Sequence, residues 1–297
     1  MIKKKLLIIG GSKFIGKAFI NYFNFQKKYK NLEIILILRN QINNHIHNKN
    51  IKIINQDFTK MKLLPKCDFI LYCLRSNSVK NDNQLFELFK EKILQLKKKP
   101  KVIFTSSGVI YGLNNSKKKI KEKNKDVIYN SGELKKYKKN WFLQKVNLEK
   151  KFLNLSTKNF EIVVLRMFSF IGPSILGLNF APSVFYEKIK DNKKISINGP
   201  INTYRSYLDE KDMVEWILKI FFNFKRKFEI YNFGSEKGIR IYDLATQMLD
   251  KKNSKKIVLI NKSSKVDYYV PSITKLKKKF KLKEKITLKN SIKILFS

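Results

Sequence analysis

Through the first half of the chain, unbroken apolar runs alternate with segments whose apolar residues recur three and four apart. The runs Lys5–Ile9, Glu33–Leu38, Ile51–Ile54, Cys67–Tyr72, Lys101–Thr105, Glu161–Met167 and Glu229–Phe233 predict strands. Apolar residues at successive positions, and not only at alternate ones, mark strands covered on both faces, as in a parallel sheet. Phe14–Phe25, Asn83–Leu96 and Asn140–Leu155 carry the helical spacing and predict the crossover helices that such a sheet requires. The fold class that follows is α/β, a doubly wound parallel sheet. After Met167 the pattern loosens around Gly172-Pro173, Ala181-Pro182 and Gly199-Pro200, then resumes with helices at Asp209–Phe222 and near Tyr242–Leu249. The expected division is a sheet domain over 1–171, to which a strand near 229–234 returns, and a smaller C-terminal lobe over most of 172–297. That lobe is expected at the sheet's carboxyl edge, where open α/β sheets take their ligands.

The first strand runs into Gly10-Gly11-Ser12-Lys13-Phe14-Ile15-Gly16 and then directly into a helix. Glycines let the backbone turn sharply at the strand's end, so the amides at the helix N-terminus face an anionic group. This is a phosphate cradle of the Rossmann kind, and a dinucleotide is the expected ligand. One position departs from the fingerprint: Lys13 stands where its middle glycine belongs. Its side chain would either crowd a closely bound pyrophosphate or point outward and add a charge beside it.

Composition changes this picture little. The 297 residues are 43% hydrophobic and 29% charged, which suits a folded globular chain and not a disordered one. A formal net charge of +41 would ordinarily point to nucleic acid or an anionic membrane. The cations are nearly all Lys, however, with Arg only at 39, 75, 166, 205, 226 and 240, amid an excess of Asn and Ile. That bias is what an AT-rich coding sequence produces, whereas phosphate-reading surfaces recruit Arg, so a nucleic-acid partner is disfavoured. No stretch reaches the roughly 20 apolar residues that span a bilayer, and the opening run is too short for a signal segment, so a cytoplasmic location is expected. Cys67 and Cys73 read as core thiols, and no metal site is expected.

Several separated segments then fall into one order. They are Gly10–Gly16, Gln56-Asp57, Thr105-Ser106-Ser107-Gly108-Val109-Ile110-Tyr111-Gly112, Leu165–Pro173, Tyr204–Met213, Tyr231–Gly234 and a tail bearing Lys275. Together they resemble the extended short-chain dehydrogenase/reductases, specifically the NAD(P)-dependent epimerase/dehydratase family that acts on nucleotide sugars. The resemblance implies a cofactor, NADP or NAD, seated on Gly10, Ser12, Lys13, Phe14, Ile15 and Gly16. It implies that Asp57 accepts from the adenine amino group with the Phe58 amide nearby. Asp57 reads alternatively as the N-cap of a short turn. Arg39, at the end of strand two, offers a guanidinium for a 2′-phosphate and so favours NADP; the plainer reading is an exposed loop arginine.

In that family a Tyr phenol moves the proton that accompanies hydride transfer, assisted by a Lys one helical turn later and a Ser or Thr hydroxyl. Ser107 matches the hydroxyl, or else is a strand-end serine satisfying backbone groups. The register that keeps Glu149 four residues on makes Lys145 the lysine and puts Trp141 at the tyrosine position. An indole N–H donates a hydrogen bond but exchanges no proton near neutral pH, so Trp141 cannot serve as a general base. Tyr137 lies roughly 12 Å before Lys145 along a straight helix, too far for shared work. Lys145 is therefore expected to hold the nicotinamide ribose hydroxyls. Asn179 and Arg205 match positions that hold the sugar diphosphate. Arg205 reads alternatively as an ion-pair partner of Asp209 or Asp212, and Arg166 as a structural tie from its strand end to the second lobe.

A dehydratase of this family carries an Asp-Glu pair after the serine, and Gly108–Tyr111 offers none. The implied activity is that of a 4-keto-6-deoxysugar reductase or a sugar epimerase in the synthesis of surface-polysaccharide precursors. A degenerate family member that binds nucleic acid or regulates is the alternative. The resemblance also implies a homodimer through the Asn83–Leu96 and Asn140–Leu155 helices.

Overall fold

Seven strands join into one sheet: β1 (Lys4–Ile9), β2 (Leu32–Leu38), β3 (Ile51–Asn55), β4 (Phe69–Tyr72), β5 (Lys101–Ser107), β6 (Ile162–Met167) and β10 (Phe228–Phe233). The computed structural model describes residues 3–26, 28–39, 47–122, 136–249, 256–260 and 263–297, with the side chains of 136–138 outside the description. The strand order is β10-β6-β5-β4-β1-β2-β3. β1 runs parallel to β2 on one side, pairing Leu6 with Ile34, and parallel to β4 on the other, pairing Leu6 with Phe69. The order thus reverses between β1 and β4, and a doubly wound sheet opens its ligand crevice at the carboxyl ends of such a strand pair.

Burial explains why these segments are strands. Every residue of β2, β4 and β6 is buried, as are Leu6–Ile9 of β1, so both faces of the central sheet are covered. The first helix, α1 (Phe14–Phe25), matches its sequence pattern residue for residue and buries Phe14, Gly16, Ala18, Phe19 and Phe23. On the face covered by α2 (Val79–Leu94) and α3 (Lys136–Ser156), an aromatic cluster gathers Tyr72, Phe86, Phe89, Phe104 and Phe152. Phe104 and Phe152 stack with centroids 4.5 Å apart. α2 begins before its apolar spacing does because the Ser78 hydroxyl accepts the Asn81 N–H and caps the helix.

Contacts divide the chain into two units, the first comprising Met1–Ile110, Lys135–Arg166 and Ile217–Tyr231. Within it a buried ion pair joins β6 to α3, with Arg166 holding Glu149 at 2.7 Å and Ser106 donating to the same carboxylate at 2.5 Å. Arg166 is structural, and the tie seen runs to α3, where the sequence reading placed it to the second lobe. The second unit comprises Tyr111–Leu134, Met167–Trp216 and Asn232–Ser297. Its main sheet is built on β9 (Asn202–Asp209), which pairs with β7 (Ser169–Ile171), β11 (Gly238–Arg240) and β13 (Val266–Tyr269). A second pair, β8 (Ile195–Ile197) and β12 (Ile257–Leu259), and the helices α4 (Ala181–Lys190), α6 (Ile241–Met248), α7 (Thr274–Phe280) and α8 (Leu288–Phe296) complete it. The helix α5 (Glu210–Asn223) replaces the expected Asp209–Phe222 with a shift of one residue.

Candidate active site

The turn after β1 stands at the crevice between β1 and β4. Gly10 has φ +86°, and a Cβ there would lie 2.8 Å from the Leu74 nitrogen, which is the first loop after β4. At Gly16 a Cβ would lie 2.5 Å from the carbonyl carbon of Gly11 and 2.6 Å from its Cα. Both positions therefore need glycine, one for its turn and the other for the close approach of α1 to the strand end. Lys13 is the last residue before α1, exposed, and supplies no side-chain cap to the helix. Its side chain thus points outward, the second of the two arrangements its size allows. Ser12 and Ile15 are partly buried beside it and Phe14 is buried.

Two strand ends away, Arg39 is exposed after β2 and Asp57 follows β3. Asp57 Oδ1 accepts both the N–H and the hydroxyl of Thr59 at 2.8 Å. Those bonds hold its carboxyl below the ordinary range, the Thr59 N–H contributing most and the charges of Arg39 and Lys60 adding to it. Asp57 therefore caps the turn Phe58–Lys60, and Phe58 is buried beneath the ammonium of Lys92.

The third group lies where β5 meets α3. Ser107, buried at the end of β5, accepts the Val109 N–H at 3.2 Å and keeps its own hydroxyl hydrogen to donate. Lys145 is 6% exposed; its Nζ donates to the Thr105 carbonyl at 2.9 Å and sits 4.9 Å from the Phe104 ring centroid. Burial brings its ammonium down to about 8, with the charge of Arg75 working in the same direction and Asp82 and Glu149 opposing. The neighbouring Cys73 thiol, partly buried, is pushed up to about 12 by desolvation, which leaves it inert. One turn before Lys145, the indole of Trp141 buries its Nε1 with no acceptor among the described residues. The Arg75 guanidinium lies over the same indole, 4.7 Å from its centroid. Tyr137 belongs to the first turn of α3, and its side chain lies outside the described residues.

Arg75 is the residue that sequence reasoning passed over. The available signal was an arginine in a lysine-dominated chain, placed three residues after the last residue of β4.

In the second unit, Asn179 is exposed on the approach to α4. Arg205 forms a two-pronged ion pair, not with Asp209 or Asp212 but with Asp267, at 3.1 and 2.7 Å. β13 runs parallel to β9 and brings Asp267 within reach. Asp209 is instead bonded to Ser291 and the Lys211 N–H, and Asp212 accepts the N–H groups of Lys285 and Ile286. No cluster able to hold a metal ion occurs among the described residues, and no described helix is long and apolar enough to cross a membrane.

The family model described as "NAD dependent epimerase/dehydratase family" matches residues 6–234. The chain belongs to this family. Its members are NAD-dependent enzymes. A search of curated proteins finds no match. Among solved structures, the chain is similar to dTDP-glucose 4,6-dehydratase from Bacillus anthracis in complex with NAD, at 16% identity and TM-score 0.81, over 97% of this chain and 94% of the other. It is similar to UDP-glucuronic acid 4-epimerase from Bacillus cereus in complex with UDP-glucuronic acid and NAD, at 15% identity and TM-score 0.77, over 98% of both chains. It is also similar to UDP-glucose 4-epimerase from Thermotoga maritima with UDP-glucose, at 18% identity and TM-score 0.75, over 98% and 97%. At these identities the likeness is one of fold.

The residues present fit the family's dinucleotide. Gly10 and Gly16 let the strand end, the Cys73–Leu74 backbone and the start of α1 pack tightly together where the strand order reverses, as the phosphate turn of a dinucleotide-binding sheet does. The buried indole N–H of Trp141 is a donor that lacks an acceptor among the described residues, as expected where a ligand supplies one.

Proposed function

We propose that this member of the epimerase/dehydratase family is an NAD(P)-dependent enzyme acting on a nucleotide sugar, a 4-keto-6-deoxysugar reductase or a sugar epimerase, in which Trp141 replaces the acid–base tyrosine. The observation that carries the reading is the buried Lys145 ammonium beneath the end of β5, one helical turn after an indole whose N–H has no partner among the described residues. A charge is held out of water here without a carboxylate bonded to it, an arrangement that stability alone does not call for.

In this reading the turn residues Gly10, Ser12, Lys13, Phe14, Ile15 and Gly16 hold the cofactor's diphosphate, and Arg39 favours NADP. Asp57 keeps Oδ2 for the adenine end while Oδ1 caps its own turn, with the Phe58 amide alongside. The nicotinamide supplies hydride transfer when bound. Ser107 donates its hydroxyl hydrogen to the sugar oxygen. Lys145 orients the ribose hydroxyls, and its Nζ, brought down to about 8, is also able to hold or release a proton near neutral pH. Trp141 positions by its N–H and moves no proton. Asn179 and Arg205 hold the substrate diphosphate from the 172–297 lobe, Arg205 sharing its fork with Asp267. Exposed Leu94 on α2 and Leu143 and Leu153 on α3 support a homodimer formed through these two helices.

The test is oxidation of NADPH by the purified protein in the presence of a nucleotide-linked 4-keto-6-deoxysugar, alongside interconversion of nucleotide hexoses with NAD. Turnover in either assay, raised or abolished by Trp141→Tyr, is the expected result. A protein that binds NADPH, turns over neither class of substrate and gains nothing from Trp141→Tyr is a degenerate binding protein, the reading that the missing phenol would otherwise favour.

A further inference from the structure

In the second unit β7 and β9 run side by side, Phe170 opposite Leu208 and Ile171 opposite Asp209. At the next residue on each, Gly172 and Glu210, the two chains part, one into the turn Pro173–Ile175 and the other into α5. Glu210 does not face solvent there. It is 2% exposed, and its side chain passes close under Gly172, where a Cβ would lie 2.5 Å from both Cδ and Oε2 of Glu210. Gly172 also has φ +151°, so the position needs glycine for its backbone as well as for the side chain it lets through. Beyond it, Glu210 Oε2 accepts the Ser174 N–H at 2.8 Å. The first N–H groups of such a turn find no partner within it, Pro173 has none to offer, and Gly172 brings no capping side chain. The Glu210 carboxylate takes the place of that cap from the neighbouring strand end. From this anchor a run of backbone bonds leads to α4: Ile175 N–H to the Gly172 carbonyl, Leu178 to Ile175, Phe180 to Leu178 at 2.8 Å and Val184 to Phe180 at 2.9 Å. Asn179 stands exposed in that run, immediately before Phe180, the residue that leads into α4.

We propose that Glu210 is a positioning residue for the substrate diphosphate: it fixes the loop from Gly172 to Phe180 so that Asn179 is held ready for the phosphate oxygens. The inference rests on the reading above in which Asn179 binds that diphosphate. A carboxylate is costly to bury, and an apolar side chain at 210 would fill the same space without giving the Ser174 N–H an acceptor. What the carboxylate contributes is order in the loop before the ligand arrives, so that less conformational freedom is lost on binding. Removing it weakens the hold on a nucleoside diphosphate and leaves the dinucleotide alone, since the Gly10–Gly16 turn belongs to the other compact unit.

The experiment is calorimetric titration of the full-length, NAD-saturated protein with UDP and with dTDP, the tighter of the two then being taken to the variants. Asn179→Ala is expected to bind it roughly tenfold more weakly, and Glu210→Ala by about the same factor. The double variant is expected to be no weaker than Asn179→Ala, since a residue that acts through another adds nothing once that other is gone. Glu210→Gln keeps an acceptor for the Ser174 N–H and is expected to recover most of the loss. Affinity for NADH, measured separately, is expected to stay the same in every variant. If Glu210→Ala does not fold, Glu210→Asp, shorter by one methylene group, carries the same comparison with an expected loss of about threefold. Unchanged nucleoside diphosphate affinity in Asn179→Ala or in the Glu210 variants overturns the proposal. Losses that add in the double variant also overturn it, as does a Glu210→Ala loss shared equally by NADH, which would make Glu210 a support of the fold alone. If NADH binds and neither UDP nor dTDP does, the nucleotide-sugar reading itself fails and the inference falls with it.

Discussion

Replacing Lys145 by Met should make the protein more stable at neutral pH, because its buried ammonium is a burden on the fold. In the folded protein burial brings the ammonium from its ordinary 10.5 down to about 8. Below pH 8 the group is charged in both states, and the folded state carries the whole cost of holding that charge out of water. The shift corresponds to about 3 kcal/mol. Removing Nζ also removes its 2.9 Å bond to the Thr105 carbonyl, a loss of about 1 kcal/mol. The net expectation for Lys145→Met is a gain of about 2 kcal/mol, with a side chain of similar length filling the same space against Phe104. The sign reverses with alkalinity. Between pH 8 and 10.5 the unfolded chain keeps a proton that the folded Lys145 has released, so stability of the native protein rises with pH across this window, relative to the variant. Urea unfolding of both proteins at neutral pH and at about pH 10 measures the difference, and comparing the two cancels the titration of the other lysines. A variant that is less stable at neutral pH, or a difference that does not change with pH, would refute the reasoning and make Lys145 an ordinary member of the Asp82 and Glu149 charge network.

Two further changes probe the scaffold around the site. Gly16→Ala would place a methyl group 2.5 Å from the Gly11 carbonyl carbon, so α1 must back away from the turn; a loss of about 1–3 kcal/mol in urea unfolding and weaker NADH binding are expected. Glu149→Ala removes the carboxylate paired with the buried Arg166 guanidinium, and chemical denaturation should show a loss of about 3–5 kcal/mol. A loss below about 1 kcal/mol would mean that water reaches the pair.

What the sequence disclosed, and what it hid, follows from the range of the interactions involved. The central strands of the large sheet were legible because they are buried on both faces and so read as apolar runs, β2 being buried throughout. The placement of Trp141 and Lys145 one turn apart was legible because a helix converts spacing into position. The short strands Ile195–Ile197, Gly238–Arg240 and Ile257–Leu259 were not, since three residues carry no periodicity. The partner of Arg205 was misread for a different reason: Asp209 and Asp212 are near in sequence, but Asp267 is brought opposite by β9–β13 pairing across 62 positions. For Arg75 the sequence offered only its residue type and its place shortly after β4, because a loop residue acquires its meaning only when the ring it covers is known.

Every role assigned to the site assumes that a pyridine nucleotide lies on the Gly10–Gly16 turn with its reactive ring near Trp141. The chain has two tryptophans, and Trp216 is buried with its N–H bonded to the Lys283 carbonyl. Titration of the protein with NADPH or NADH, followed by tryptophan fluorescence in the native protein and in Trp141→Phe, tests this most directly. The account predicts saturable quenching that the variant largely loses. No response to either nucleotide, or quenching that Trp141→Phe leaves intact, would contradict it.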